Sequence, residues 1–241
     1  MKKMKPVMSL VRKAALLSLG LVFASQSLAN IVITGTRAIY PAGDKEISVK
    51  VNNKGKGPVL IQSWIDSGNA DASPDTVSVP FIINPPMNRV DASKGQTLRI
   101  SYTGGASLPQ DRESVFWLNV LEIPPSNMKE ADINKLQVAF RSRIKLFYRP
   151  AALKEDSTKA AESMKWEING GQITAVNNSP YHITLLGIHA ENSKTEGSGD
   201  MVAPFGRLVI RNKSGRFAHG QKISWQYIND WGAIKKAETT L

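Results

Sequence analysis

The groups this chain could use for acid–base, nucleophilic or metal chemistry are three histidines, twenty carboxylates and no cysteine. Without cysteine there is no thiol nucleophile, no CxxC redox pair, no disulfide framework and no Cys-type zinc site. His182 and His189 are seven residues apart, so at the two-residue period of a strand they point to opposite faces and do not make a metal pair. No G-x-S-x-G elbow, P-loop or strand-to-helix G-x-G-x-x-G is present. Gly55-Lys56-Gly57 and Gly104-Gly105 read as turn glycines supplying positive φ. No two carboxylates can be singled out as a catalytic pair. No catalytic residue, metal or cofactor is therefore assigned, and the function is expected to be binding.

One segment has the pattern of a binding element. From Leu136 to Leu146, Leu136, Val138, Phe140, Ile144 and Leu146 share one parity, and Gln137, Ala139, Arg141, Arg143 and Lys145 share the other. Alternation alone describes an ordinary strand, buried on one face and solvated on the other. The sharper reading is an exposed edge with large apolar side chains, which is a template for another chain's backbone.

The elements around that strand set its context. The 241 residues are 41% apolar and 21% charged, a globular composition with room for one or two domains. Residues 1–13 carry Lys2, Lys3, Lys5, Arg12 and Lys13 with no acid; an apolar run follows over 14–24, then Ser27-Leu28-Ala29. This is the pattern of a secretory signal peptide cleaved after Ala29, and the apolar run is about half the ~20 residues that span a bilayer. Losing those five cations takes the formal +11 to about +6 and weakens the case for nucleic acid as partner. No other stretch approaches membrane-spanning length, so no membrane insertion is expected.

Residues 30–150 read as an immunoglobulin-like β-sandwich. Period-two alternation recurs at Ile47, Val49, Val51 and at Leu98, Ile100, Tyr102; short apolar runs at 59–61, 81–83 and 115–118 are bounded by Pro58, Pro80 and Pro85-Pro86. About seven strands fit. Residues 151–163 read as a polar connection, and 151–241 as a second β-sandwich with strands at 164–168, 172–176, 181–188, 207–210 and 222–228. The fold class is all-β, an immunoglobulin-like sandwich followed by a second small β domain, both held in an oxidising space by packing alone.

Four segments in order, Leu108–Ser114, Glu122-Ile123-Pro124-Pro125, Ile144–Pro150 and Tyr227-Ile228-Asn229-Asp230, with Thr36-Arg37 near the mature start, resemble the signatures of the periplasmic pilus chaperones, the PapD-like family. The resemblance covers residues 31–232 and implies two immunoglobulin-like domains in a boomerang arrangement. It also implies a periplasmic function: binding, folding and capping pilus subunits (pilins) and escorting them to an outer-membrane usher. In that family the chaperone lends an edge strand to a subunit that lacks one, a form of β-augmentation. By resemblance Leu136, Val138 and Phe140 fill the subunit's groove, and Arg37 with Lys145 anchors its terminal carboxylate. Glu113, Arg149 and Asp230 form an interdomain charge network, and Asn84-Pro85 falls where the family carries a cis proline. The short stretch from Pro125 to Leu136 resembles the short-loop branch. Free copies could self-associate through the exposed edge. The alternative reading is a structural pilus subunit or adhesin of the same architecture.

Overall fold

The computed structural model describes residues 30–104, 107–123, 138–154 and 156–241. Leu136 and the stretch from Pro125 onward that the short-loop reading concerns lie outside the described residues. Residues 31–241 form one compact unit that holds two separate hydrophobic cores.

The first core lies between two sheets. One has the order β1-β3-β7-β5, built from β1 (Ile31–Ile33), β3 (Ile47–Asn53), β5 (Phe81–Asn84) and β7 (Gly95–Tyr102). The other has the order β2-β9-β8-β4-β6, from β2 (Arg37–Pro41), β4 (Val59–Asp66), β6 (Met87–Val90), β8 (Ser114–Ile123) and β9 (Phe140–Arg149). Alternation explains the first sheet directly. Ile47 lies opposite Ile100 and Val49 opposite Leu98, and this face of β-branched and aliphatic side chains closes over the core. The chain switches sheets at the cis Asn84-Pro85 bond, because β5 pairs with β7 while β6 pairs with β4. Among the described residues nine strands form where about seven were expected; β1, β2 and β6 are three to five residues long, too short to establish a period.

An aromatic group fills one end of this sandwich. Tyr40 stacks on Tyr148 at 5.9 Å and meets Phe81 edge-on at 5.6 Å. Its hydroxyl accepts from the Tyr102 backbone N–H at 3.0 Å and donates to the carbonyls of Asp44 and Lys45. This buried tyrosine thus ties β2, on the site's side of the sandwich, to β7 across the core.

The second core lies between a sheet of order β10-β11-β15 and one of order β16-β13-β12-β17-β18, with β14 pairing to β12. These are β10 (Lys165–Asn169), β11 (Gln172–Val176), β12 (Ile183–Ala190), β13 (Glu196–Ser198), β14 (Met201–Val202), β15 (Arg207–Val209), β16 (Arg211–Ser214), β17 (Lys222–Ile228) and β18 (Ile234–Thr240). The sequence expectation missed β13, β14, β16 and β18. Of these, β18 reads Ile-Lys-Lys-Ala-Glu-Thr-Thr and leaves most of its residues exposed.

Residues 151–163 are not only a connection. They contain a one-and-a-half-turn helix, α1 (Ser157–Glu162), whose N-cap Asp156 accepts the Thr158 N–H at 2.8 Å. Ala160 and Ala161 are buried, Ala161 as part of the second core, and the Ala161 carbonyl accepts from the Trp225 indole N–H. Six residues are too few for a helical period to stand out. The two turn-glycine expectations separate. Gly104 has φ of 72°, but Gly57 is not left-handed; Asn53 holds its turn by donating to the Gly57 carbonyl and accepting the Gly55 N–H, while Gly105 lies outside the described residues.

Replacing Tyr40 by Phe keeps the ring packing and removes three hydrogen bonds. Chemical denaturation is expected to show a loss of about 1–3 kcal/mol with an unchanged slope.

Candidate functional site

The site grows from β9, an inner strand over half its length and an edge over the other half. It pairs with β8 from Phe140 opposite Glu122 to Tyr148 opposite Ser114. On its other side β2 runs parallel to it but covers only Lys145 to Arg149. Among the described residues, Phe140–Ile144 have no strand in that lane, so their backbone is free to accept one.

Parity sorts the side chains of β9. Ile144, Leu146 and Tyr148 turn into the first core. Phe140, at 36% exposure, continues that face beyond the core's rim, with Val138, at 51%, just before it. The opposite face carries Arg141, Arg143, Lys145, Phe147 and Arg149. Because Arg37 opens β2 and its Cα lies opposite that of Lys145, two cations sit side by side where the paired part of β9 gives way to the free part.

Around them is a cavity of about 310 Å³ lined by Thr36, Arg37, Trp117, Arg143, Ile144 and Lys145 from the first sandwich and by Thr184 and Ile228 from the second. Arg37 donates to the Ile228 carbonyl at 3.0 Å, and its guanidinium lies 5.5 Å from the Phe147 ring centroid. Among the described residues neither cation has a carboxylate partner within ion-pair distance. Two buried donors of the lining residues, Arg37 Nε and Thr184 Oγ1, have no hydrogen-bond partner among the described residues. Burial lowers the pKa of Lys145 and the charge of Arg37 lowers it further, with Asp200 opposing. Burial likewise lowers that of Arg37, against the fields of Asp230 and Glu113. A half-buried, uncompensated pair of cations with spare donors is a receptor for an anion.

Beside the cavity, Arg149 at the end of β9 joins the two sandwiches. Its Nε donates to Glu113 Oε1 at 2.8 Å, and its Nη1 and Nη2 donate to Asp230 at 2.7 and 3.0 Å. Ser157, the first residue of α1, also donates to Asp230, and Glu113 accepts the His182 N–H. The guanidinium covers the Tyr181 ring at 5.0 Å. Burial alone would lower the Arg149 pKa, but its bonds to Asp230 and the nearby Glu113 hold it above its ordinary value. Burial alone would raise the Asp230 pKa, and the bond from Arg149 more than reverses this. Two further contacts bridge the sandwiches: the Glu113 N–H donates to the Pro180 carbonyl, and Gly232, at φ 79°, packs so closely on Thr36 that a Cβ there would fall 2.5 Å from its hydroxyl.

The sequence reading named Arg37, Lys145, Val138, Phe140, Glu113, Arg149 and Asp230, and the structure groups them as two cations, two apolar residues at a strand edge and one three-residue ion cluster. It gave no site role to Thr184, Ile228, Ser157 or Asp66. Ile228 and Ser157 enter through a backbone carbonyl and a hydroxyl, which have no signature in a sequence. The His182 side chain, 6% exposed, lies beside Glu113, and no cluster of three metal-ligating side chains occurs among the described residues.

A pair of immunoglobulin-like sandwiches that meet at an anion-receptive cavity beside an open strand edge defines a class of strand-pairing binding protein. The comparisons make the class specific. Residues 30–154 match the family "Pili and flagellar-assembly chaperone, PapD N-terminal domain" and residues 159–239 match "Pili assembly chaperone PapD, C-terminal domain". The chain belongs to this family of pilus-assembly chaperones. It is 42% identical over 228 residues to the probable fimbrial chaperone YadV of Escherichia coli K12, covering 91% of this chain and 93% of that one. The crystal structure of YadV chaperone superposes with a TM-score of 0.76 at 40% identity, over 88% of this chain and all of the other. The chaperone SafB in its complex with SafA pilin from Salmonella enterica superposes at 0.73 with 26% identity, over 90% and 99% of the two chains.

Asp230 has a folded pKa below its ordinary 3.8, so its contribution is complete above that value and is lost as pH falls through the folded one. Asp230→Asn is expected to cost about 2 kcal/mol at pH 7 and to flatten the loss of stability toward pH 3, read from urea midpoints at the two pH values.

Proposed function

We propose that this chaperone holds pilus subunits by donor-strand complementation, with the free half of β9 as the lent strand and Arg37 with Lys145 as the anchor for the subunit's terminal carboxylate. The observation that supports this is the adjacency of an unpaired edge and an uncompensated cation pair. β2 already occupies the lane beside Lys145–Arg149, parallel to β9. A strand whose carboxylate stops at Arg37 and Lys145 fills the same lane over Phe140–Ile144, so it too runs parallel to β9. Phe140 and Val138 then turn their side chains toward the face on which the subunit's open core lies, and the resemblance assigns Leu136 the third groove position. At about 3.3 Å per residue Phe140 is roughly 17 Å from Lys145, and charge-assisted bonds at one end set the register of the whole ladder.

The action is binding and calls for no catalytic residue, cofactor or nucleotide. Residues 1–29 serve as a secretory signal removed after Ala29, residues 30–150 and 151–241 are the two domains, and the mature chaperone works in the periplasm, passing its subunits to an outer-membrane usher. Without a subunit the same edge is open to a second copy. A pilus subunit of the same architecture is not supported, because the matching family models and the relatives named above are chaperones.

Lys145→Ala and Arg37→Glu are each expected to abolish recovery of a one-to-one complex with the cognate subunit while leaving the unfolding transition cooperative. Unchanged recovery would refute the anchor. A bound carboxylate favours charged Lys145, so the complex holds its proton to higher pH than the free protein does. Affinity is therefore expected to be level below the free protein's lowered Lys145 pKa and to fall as pH rises above it. The decline should be absent in Lys145→Arg, whose guanidinium keeps its charge over the whole range, as measured by titration calorimetry.

A further inference from the structure

The cavity holds a third cation, and it is treated differently from the other two. Arg143 is two residues before Lys145 on the same face of β9, about 6.6 Å away along the strand. Its Nη2 and Nε donate to the two carboxylate oxygens of Asp66 at 2.5 and 3.1 Å. Asp66 is only 2% exposed and also accepts from Asn119 Nδ2 and from the Gly68 N–H, each at 2.7 Å. The guanidinium lies 4.7 Å from the centroid of Trp117, which lines the same cavity. Burial alone would raise the Asp66 pKa, but the hydrogen bonds from Arg143, Asn119 and Gly68 hold it below the ordinary range, so it stays ionised at neutral pH.

Cross-strand alignment makes this pairing matter. One row across the sheet reads Asp66, Trp117, Lys145, Arg37, and its lane beside β9 is filled by Arg37. The next row reads Trp64, Asn119, Arg143, and its lane is empty among the described residues. An arriving strand therefore passes directly beside Arg143 before its carboxylate meets Arg37 and Lys145. A free guanidinium there would be a competing anchor. A strand stopped by it would sit two residues short, the smallest slip that keeps every side chain on its proper face. Arg141, two residues further, is exposed and so more fully screened.

We propose that Asp66 is a register-determining residue of the chaperone: by neutralising Arg143 it leaves Arg37 and Lys145, among the half-buried cations of the described residues beside this lane, to stop an incoming carboxylate-terminated strand. This rests on the donor-strand reading above and assigns a role to a residue outside the anchor.

The chain has no cysteine, so register can be read by disulfide mapping without background. Ser142→Cys is introduced into the chaperone, and single cysteines are scanned along the last strand of the subunit; only pairs with Cα atoms within about 7 Å cross-link. Otherwise unaltered chaperone is expected to give one cross-linking register. Asp66→Asn, of nearly the same shape, is expected to add a product shifted by two residues, and Asp66→Asn with Arg143→Met to restore the single register. Arg143→Lys keeps the charge but loses the two-pronged grip and is expected to give a smaller fraction of shifted product; it serves as the second arm if Asp66→Asn does not fold. A single register in every folded variant overturns the proposal. Absence of any cross-link in the parent Ser142→Cys protein would instead overturn the donor-strand reading on which it rests.

Discussion

Two like charges side by side, half withdrawn from water and with no carboxylate at ion-pair distance among the described residues, are the constraint around which the rest of the molecule is arranged. Burial and mutual repulsion both act against Lys145, and burial acts against Arg37. Their adjacency is imposed by main-chain pairing, since the parallel ladder of β2 on β9 starts at these two residues. Relief comes from outside the pair. Arg37 is held by a carbonyl of the second sandwich and by the Phe147 ring, and the field of Asp230 and Glu113 acts on it in the stabilising sense. The ion cluster that joins the sandwiches therefore also makes the cationic cavity tolerable.

That double role ties domain geometry to binding. Six lining residues come from the first sandwich and two from the second, so the cavity exists only while the sandwiches keep their relation. The fixing contacts are of different physical kinds: the forked grip of Arg149 on Asp230, the bond from the Glu113 N–H to the Pro180 carbonyl, and the close seat of Gly232 on Thr36. Such polar contacts contribute orientation more surely than net stability. Stability comes instead from the two separate apolar cores, as a chain without cysteine requires.

How much of this was legible in the sequence follows from how local each signal is. Ile47, Val49 and Val51 announce a strand because a two-residue period needs only a few neighbours to show, and the prolines at 80, 85 and 86 mark where strands stop. β14, of two residues, and α1, of six, are too short for periods of 2 and 3.6 residues to repeat and stand out. Arg37 and Lys145 stood out only through the motifs around them, since a cation in a strand is ordinarily solvated. Asp66 had no such motif. Its role depends on lying across three strands from Arg143, and an ion pair separated by 77 residues leaves no mark in either local segment.

An open edge of large apolar residues is ordinarily a route to aggregation, and here the same cations that make the edge useful also restrict it. The free part of β9 is short, five residues from Phe140 to Ile144, and two of them are arginines on the face away from the core. A strand that paired there without ending in a carboxylate would cover the cavity mouth and leave Arg37 and Lys145 more deeply buried and still unpaired. That costs more than the few hydrogen bonds it gains, because an uncompensated buried charge is penalised more heavily than a neutral bond is rewarded. A strand that ends in a carboxylate at the cavity converts the same burial into charge-assisted bonds. Under the proposed anchor, selectivity for chain ends arises from what the wrong strand would leave unsatisfied, and it needs no side-chain readout beyond the alternating pockets.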